Sequence, residues 1–566
     1  MAVPEQRALD LIRRQEQLAA ERMPLEQHWQ EIAELVNPMR ADFTLGNGVF
    51  PRQAGEKRLQ KQYDGTASLA AEQLAAGLWG MITNSANEWF SLQAQDPSLN
   101  QEFTARRWLD NASRRMRDAF SAHGGRFYSR VMDLYADLVS FGTGIFYVEE
   151  AVGQNAVHYS CRPLMECFIA ENDWGDIDTV IRKFSWTARQ ALQRWGQTCG
   201  EKIMKAAEKE PDRKFTFLHG VMPREDIDRQ RFDAKGKKWA SFYVNLEEKI
   251  LLAEGGFHEF PYMVPRWSTR SRGVYGDSPA MLALPDVKML NTMSKTMIVG
   301  AQKAVDPPLL ATDENAVRGI RTSPGGIIYG GLDANGRRLY EPLLTGGNLN
   351  LGLEIEEQRR SAIRESFFHS LMLLVQQPNQ TATEVLVRQE EKLRLMGPHL
   401  GRLQCEFLDP LINRQFNMMV RAGAFPPSPP VMRDLLKLRV EYVSPLARAQ
   451  KSSEGTAILR AVEALSPLAQ LDPTIMDNID ADAYARAILD AFGAPARILR
   501  DPQAVEELRA SRGQQQSMQS MLAAAQPMAG AMRDLSQAGL PVKEVADQLD
   551  QVMAEPPDQD MPMPVS

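Results

Sequence analysis

Four cysteines in 566 residues are too few for a disulfide framework. Cys161, Cys167, Cys199 and Cys405 are unevenly spaced, which suits a reducing compartment. No stretch approaches about 18 uninterrupted apolar residues, so no transmembrane helix is expected. Met1 to Gln17 is charged and lacks the apolar region of a secretory signal. An excess of positive charge is missing too. Lys and Arg number 65 against 72 Asp and Glu, a formal net charge of -7. That argues against a DNA binder held by a strong overall positive field. Gly236-Lys237-Lys238 lacks the upstream Gly and the Ser/Thr of a phosphate loop, and Gly142-Thr143-Gly144 lacks the third Gly of a dinucleotide loop. ATP hydrolysis is therefore not expected, and no repeat of fixed period is visible. What is present is a globular composition, 44% hydrophobic and 24% charged, which excludes disorder of the whole chain. At this length an ample core can form, with a prior of about three to four domains.

The first third reads as helical. Leu25, Trp29, Ile32 and Val36 form one stripe, with Pro24 interrupting it upstream and Asn37-Pro38 stopping it. Residues 41–56 read as a loop. Thr66 to Asn84 predicts a helix whose Ala67, Ala70, Ala71, Ala75 and Ala76 allow close approach to a neighbour. Two more helices are expected over 103–122 and 126–140. Short β-prone runs then follow: Gly144–Glu150, Val157–Arg162, Cys167–Glu171, Val180–Trp186, Phe215–Met222, Trp239–Leu246 and Lys249–Ala253. A helix at Thr187–Gly196 is inserted among them. This predicts an antiparallel meander with attached helices, and the fold class is α+β, mainly helical.

From Ser278 the chain turns helical again. Asp277 or Ser278 can cap, Pro279 suits the first turn, and Asp306-Pro307-Pro308 is a stop near Val305. Residues 306–347 are rich in Gly and Pro, with a short strand expected at Gly326–Tyr329. Ile363, Phe367, Leu371 and Leu374 mark a second helix, broken by Gln376 to Thr381. Thr383 to Ala422 reads as a long helix with Leu393, Met396, Leu400, Leu403 and Phe407 in step. Gly397-Pro398 predicts a kink there. Leu438–Val443 reads as a single strand and 453–510 as helical. After Ser511 the chain turns Gln- and Met-rich, and the Pro-rich tail Glu555–Ser566 is expected to be disordered.

Candidate chemistry is sparse. Gly276-Asp277-Ser278-Pro279-Ala280 faintly resembles a nucleophile elbow, but a helix cap explains the same residues. His158, Cys161 and Cys167 lack the paired spacing of a zinc site, and His158 and Cys161 differ in strand parity. No catalytic, cofactor or metal site is expected. Arg106, Arg107, Arg114, Arg115 and Arg117 lie on one helix as a solvated or partner-contacting face. Met289, Met293 and Met297 recur as one helix face, suited to adaptable packing or to a subunit interface that shifts.

Several strings, in this order, resemble the head-to-tail connector, or portal, proteins of short-tailed bacteriophages. They are Tyr63-Asp64-Gly65-Thr66-Ala67 through Leu74–Leu78 to Asn87-Glu88-Trp89-Phe90, and Phe141-Gly142-Thr143-Gly144. Pro265-Arg266-Trp267 follows, with Tyr275–Ala280 and Leu284-Pro285-Asp286 after it. The last is Thr381–Val385 with Arg388–Lys392. The resemblance covers about residues 10–450.

The resemblance implies a ring of about twelve copies at one capsid vertex, with wing, stem, clip and crown regions. In that frame 1–275 is the wing, 276–305 and 348–375 are stem helices, and 306–347 is the clip. Residues 376–383 become the channel loop, 384–450 a long kinked helix and the wing's return strand, 451–510 the crown, and 511–566 a flexible tail. Gln376, Gln377, Asn379, Gln380, Thr381 and Arg388 would face DNA, and Arg318, Arg321, Arg337 and Arg338 would contact partners at the clip. The implied partners are double-stranded DNA, the packaging terminase, tail adaptor or nozzle proteins, and the major capsid and scaffold proteins. No membrane is implied. The location is the virion vertex, after assembly in the host cytoplasm. The competing readings are another tail or capsid adaptor, and a hydrolase centred on Ser278.

Overall fold

The computed structural model describes residues 4–43, 61–121, 126–151, 156–228, 230–270, 273–311, 332, 335–343, 349–372, 396–430, 438–442, 455–464, 480–491, 500 and 504–519. Two compact units are distinguished, Met1–Asn478 with Ala491–Gly493, and Ile479–Asp490 with Ala494–Ser566. In the larger unit α1 (Pro4–Leu35) is followed by α2 (Thr66–Ile82), β1 (Phe90–Ala94), α3 (Pro97–Gln101), α4 (Phe103–Ser121) and α5 (Phe127–Phe141). Next come β2 (Phe146–Ala151), β3 (Ala156–Cys161), β4 (Cys167–Glu171), β5 (Ile177–Thr187), α6 (Ala188–Trp195) and α7 (Glu201–Lys209). The strands β6 (Lys214–Pro223), β7 (Trp239–Asn245), β8 (Ile250–Phe257), β9 (Tyr262–Met263), β10 (Ser268–Thr269) and β11 (Gly276–Asp277) lead into α8 (Pro279–Val305). Then follow β12 (Leu309–Ala311), β13 (Tyr340–Pro342), α9 (Leu349–Ser366) and α10 (His369–Met372). A helix over 396–421 contains a π-turn at Gln404–Leu408, and β14 (Leu438–Tyr442) comes after it.

The expected meander is present, divided between two sheets. β4 to β8 form one five-stranded antiparallel sheet in chain order, while β2 sits between β3 and β9 in a second. Alternation along β6 explains how both faces of the larger sheet are covered. Leu218 joins Leu11, Phe168, Ile181 and Val244 under α1. Phe215 and Phe217 point the other way, against Ala188, Ala191 and Ile203 of α6 and α7. Thr187 starts α6 with a capping box closed by Gln190.

Two helix boundaries differ from expectation. Pro24 lies inside α1 rather than interrupting it. It removes one backbone donor, but the helix is pinned on both sides. Buried Arg22 donates to the carbonyls of Leu164 (3.0 Å), Met165 (2.9 Å) and Cys167 (2.6 Å), and beyond the proline Trp29 and Ile32 are fully buried. The helix expected over 348–375 ends as α9 at Ser366. Phe368 takes a left-handed conformation (φ 55°) that brings its ring against Trp267 and His399. The helix leading up to the expected kink at Gly397-Pro398 lies outside the described residues; helix 396–421 carries a π-turn further on, at Gln404–Leu408.

β14 pairs with β1, an element the sequence reading missed, from Phe90↔Tyr442 to Ala94↔Leu438. Helix Ala481–Ala491, whose residues up to Asp490 belong to the smaller unit, is joined to that unit's helix 504–519 by a two-pronged Arg509–Asp482 pair, 2.7 Å on each prong. The second helix continues past Ser511 into the first residues of the stretch expected to be a flexible tail, and Glu555–Ser566 lies outside the described residues. Among the described residues no helix is long and apolar enough to cross a membrane.

Candidate functional site: the joint between the sheets and the paired helices

Gly142 ends α5 in the left-handed region (φ +76°), with its N–H returning to Leu138 O at 2.9 Å. At that point the chain meets the segment leading into α8. The Gly142 carbonyl accepts the N–H of Trp267 at 2.9 Å, and the N–H of Gly276 donates to Thr143 Oγ1 at 2.8 Å. A Cβ on Gly142 would lie 2.3 Å from Gly276 O, and one on Gly276 would lie 2.2 Å from Gly142 O. The two backbones touch, so neither position has room for a side chain.

Buried Arg266 fastens the same crossing. It forms an isolated bridge with Thr143 and ion pairs with Glu171 and Glu406, the latter at 2.9 Å. Its guanidinium also donates to the carbonyls of Gly175 (3.0 Å) and Val274 (3.3 Å). Glu406 lies within the π-turn, so one arginine ties the larger sheet, the α8 lead-in and helix 396–421 together. His399, one turn before the π-turn, stacks on Trp267 at 4.4 Å.

Ser278 begins α8 as its cap. Its Oγ accepts from Met281 N–H (3.0 Å) and donates to Ser140 O (2.9 Å), so the hydroxyl is committed on both sides. α8 runs to Val305 and stops at Asp306, as its sequence predicts.

α8 and α9 lie side by side. Ser294 Oγ donates to Glu356 (3.3 Å), Arg359 to Asp286 (2.9 Å), and Arg360 to both Glu356 (2.9 Å) and Asp64 (3.0 Å). Asp64 also accepts the Thr66 N–H at 2.8 Å. Burial pushes its pKa up, but the hydrogen bonds from Thr66 and Arg360 outweigh this and hold the carboxyl below the ordinary range. Asn291 receives the N–H of Tyr63 (2.7 Å) and donates to Lys61 O (2.9 Å). Segments that looked weak one at a time in the sequence therefore meet: Tyr63–Thr66 grips the helix pair, while Phe141–Gly144, Pro265–Trp267 and Tyr275–Ala280 build the joint. The far ends of the pair leave large apolar side chains in solvent. Ile298, Val299 and Val305 of α8 and Leu351 and Leu353 of α9 are all exposed.

Residues 8–499 match the family described as bacteriophage head to tail connecting protein. The chain belongs to that family. It is 31% identical over 539 residues to the portal protein of Salmonella phage epsilon15, covering 93% of this chain and 95% of the relative. It is 32% identical over 530 residues to the probable portal protein of Bordetella phage BPP-1, covering 91% and 93%.

In this connector the residues expected to face DNA, Gln376, Gln377, Asn379, Gln380, Thr381 and Arg388, lie outside the described residues, as do Arg318 and Arg321. Arg337 and Arg338 are described and exposed, next to the β12–β13 hairpin, and Arg338 bridges Leu332. The α4 arginines divide. Arg117 donates to Phe90 O (3.0 Å) and Glu88 (2.6 Å), and Arg115 to Ala424 O (2.5 Å), whereas Arg107 and Arg114 point into solvent. The Ala face of α2, read as suited to close approach, is used inside the subunit: Ala67, Ala70, Ala71 and Ala75 are buried, with only Ala76 exposed.

His158 is exposed, while Cys161 turns inward to Asp137 (3.6 Å), which also faces Arg40 (3.2 Å). Burial pushes Asp137 up to about 6 against the pull of Arg40, and pushes the Cys167 thiol up to about 12. No group of three or more His, Cys, Asp and Glu among the described residues is placed to hold a metal ion.

The sequence reading missed His219. Its Nδ1 meets Tyr262 OH (3.0 Å), its Nε2 meets Ser241 Oγ (3.1 Å), and its ring stacks on Tyr243 at 4.2 Å. Tyr262 belongs to the smaller sheet, and the other partners to the larger. Only knowing that the two sheets adjoin at this point reveals the cluster.

Proposed function

We propose that this connector chain is a portal subunit that assembles as a ring of about twelve copies at one capsid vertex. The ring surrounds the path by which double-stranded DNA enters and leaves, docking the packaging terminase first and tail adaptor or nozzle proteins later. The observation that carries this reading is similarity to two portal proteins over more than nine-tenths of the chain.

Within that reading, 1–275 and 384–450 form the wing, and α8 and α9 form the stem. Residues 306–347 form the clip, with Arg318, Arg321, Arg337 and Arg338 toward its partners. Gln376 to Thr383 line the channel, and 451–510 make the crown. Three features support the assignment. The α8–α9 pair carries exposed apolar side chains that a neighbouring pair would cover. The joint at Gly142, Arg266 and Gly276 holds that pair rigidly to the sheets. The net charge of -7 suits a passage for DNA, because attraction to each phosphate would add around a ring and stall sliding.

The test is native mass spectrometry of the purified chain with negative-stain imaging of the same sample. Closed rings of about twelve copies with a central hole are expected. A chain that stays monomeric at high concentration with scaffold protein present would overturn the reading.

A further inference from the structure

We propose that, in the ring, the turn carrying Trp174 of one subunit seats in a methionine-lined groove on α8 of the next. This rests on the ring reading above and names a contact within it.

Trp174 is 84% exposed at the tip of the β4–β5 turn. The turn that carries it is held by its own hydrogen bonds. Asn172 Oδ1 accepts the N–H groups of Trp174 and Asp176, both at 2.9 Å, and the Asn172 N–H donates to Asp176 O at 2.9 Å. Gly175 supplies the left-handed residue (φ +84°), and its carbonyl is held by Arg266 at 3.0 Å. The backbone that presents the indole is thus fixed, so the turn has little freedom left to lose on docking.

The groove runs along α8, open to solvent, and has a volume of about 490 Å³, room for one face of a ring system. Met289, Met293 and Met297 line it with Thr292 and Thr296. Gly352 of α9 keeps it open: a Cβ there would come within 2.5 Å of Met297 Sδ. Methionine adapts its shape and makes favourable sulfur–aromatic contacts. The chain's own Trp174, being exposed, does not occupy it.

Charge selects between the two most exposed aromatics. Lys288 lines the groove but is paired with Glu31 at 2.5 Å, so exposed Lys295, two turns further along α8, carries the positive charge beside it. The Trp174 turn carries exposed Asp173 and Asp176. Phe232, the most exposed aromatic among the described residues, sits in a stretch of mixed charge, where Arg231 pairs with Asp233 and Lys235 and Lys237 follow, so it offers no net negative charge to Lys295. A knob and a hole on different faces of one chain also provide the heterologous contact that a closed ring needs.

The test measures, by native mass spectrometry, the concentration at which half the protein is in rings. Trp174→Ala and Met293→Ala should each raise it about tenfold or more, and the double variant should be no worse than the more severe single. Monomer melting of Trp174→Ala should be unchanged, and Phe232→Ala should assemble normally. Normal assembly of Trp174→Ala would overturn the contact while leaving the ring reading intact. So would independent, additive effects of the two substitutions, or coupling of Met293→Ala to Phe232→Ala instead. A wild-type chain that forms no ring would overturn both.

Discussion

The carboxylate of Glu406 takes the backbone N–H of Arg266 at 2.7 Å and its guanidinium Nη2 at 2.9 Å, across 140 residues of chain. The Arg266 side chain is buried, and Glu406 is partly so. Removing one partner therefore leaves a buried charge only partly compensated by Glu171. Glu406→Gln should lower unfolding free energy by roughly 2–4 kcal/mol, read by urea denaturation. A loss under about 0.5 kcal/mol would mean that the pair is no more than a surface contact.

Gly142→Ala and Gly276→Ala should each destabilise by about 3 kcal/mol or more, because each new methyl meets a carbonyl oxygen well inside contact distance. Gly175→Ala is the control. It shares the positive φ of Gly142 (+84° against +76°), but nothing lies near its Cβ position, so only the conformational penalty of about 1–2 kcal/mol applies. Equal losses at all three sites in thermal melts would remove the close-approach explanation.

His219 is held well below its ordinary pKa by burial, then by the positive charges of Arg182, Arg162 and Arg194. A depressed histidine stays neutral in the fold while the unfolded chain takes up a proton. Its contribution is thus fully present above about pH 6.5 and is lost as pH falls below that. Denaturation midpoints of His219→Gln should depend less on pH than wild type between about pH 6.5 and 5. Parallel curves would show that His219 does not couple to folding.

Asp137 acts with the opposite sign. Its folded pKa is raised to about 6 by burial, so its penalty is absent below the unfolded value and grows as pH rises from about 4 to 6. Asp137→Asn should remove that slope. The gain relative to wild type should be larger at pH 7 than at pH 4, less whatever Arg40 loses with its partner.

Ile298→Asp and Val299→Asp place charge on exposed apolar positions of α8. The subunit should fold and melt as wild type, since neither side chain is in the core. Ring formation should fall at least tenfold in native mass spectra, because a desolvated carboxylate has no partner there. Undiminished rings would move the stem contact to another face.

Some features could be read locally. Ser278-Pro279 and Asp306-Pro307-Pro308 bound α8 because capping and proline chemistry act within a few residues. β4 to β7 were visible as short β-prone runs bounded by turn residues. The N-terminal helix was harder. Pro24 reads as a break in one dimension, and only the carbonyls of Leu164, Met165 and Cys167 gripping Arg22 explain why α1 passes through it.

The sequence alone determined the composition class, most helix and strand positions, and, through scattered short strings, the connector family. Tertiary structure decided what those strings do. Gly142 is an ordinary helix-ending glycine and Gly276 an ordinary strand glycine until their backbones meet; Glu406 is one acid among many until Arg266 reaches it; β1 has no strand partner until β14 arrives. The physical reason is range. Caps and hydrophobic periodicity are properties of neighbours in the chain, whereas close approach, buried ion pairs and strand pairing exist only between segments that folding brings together.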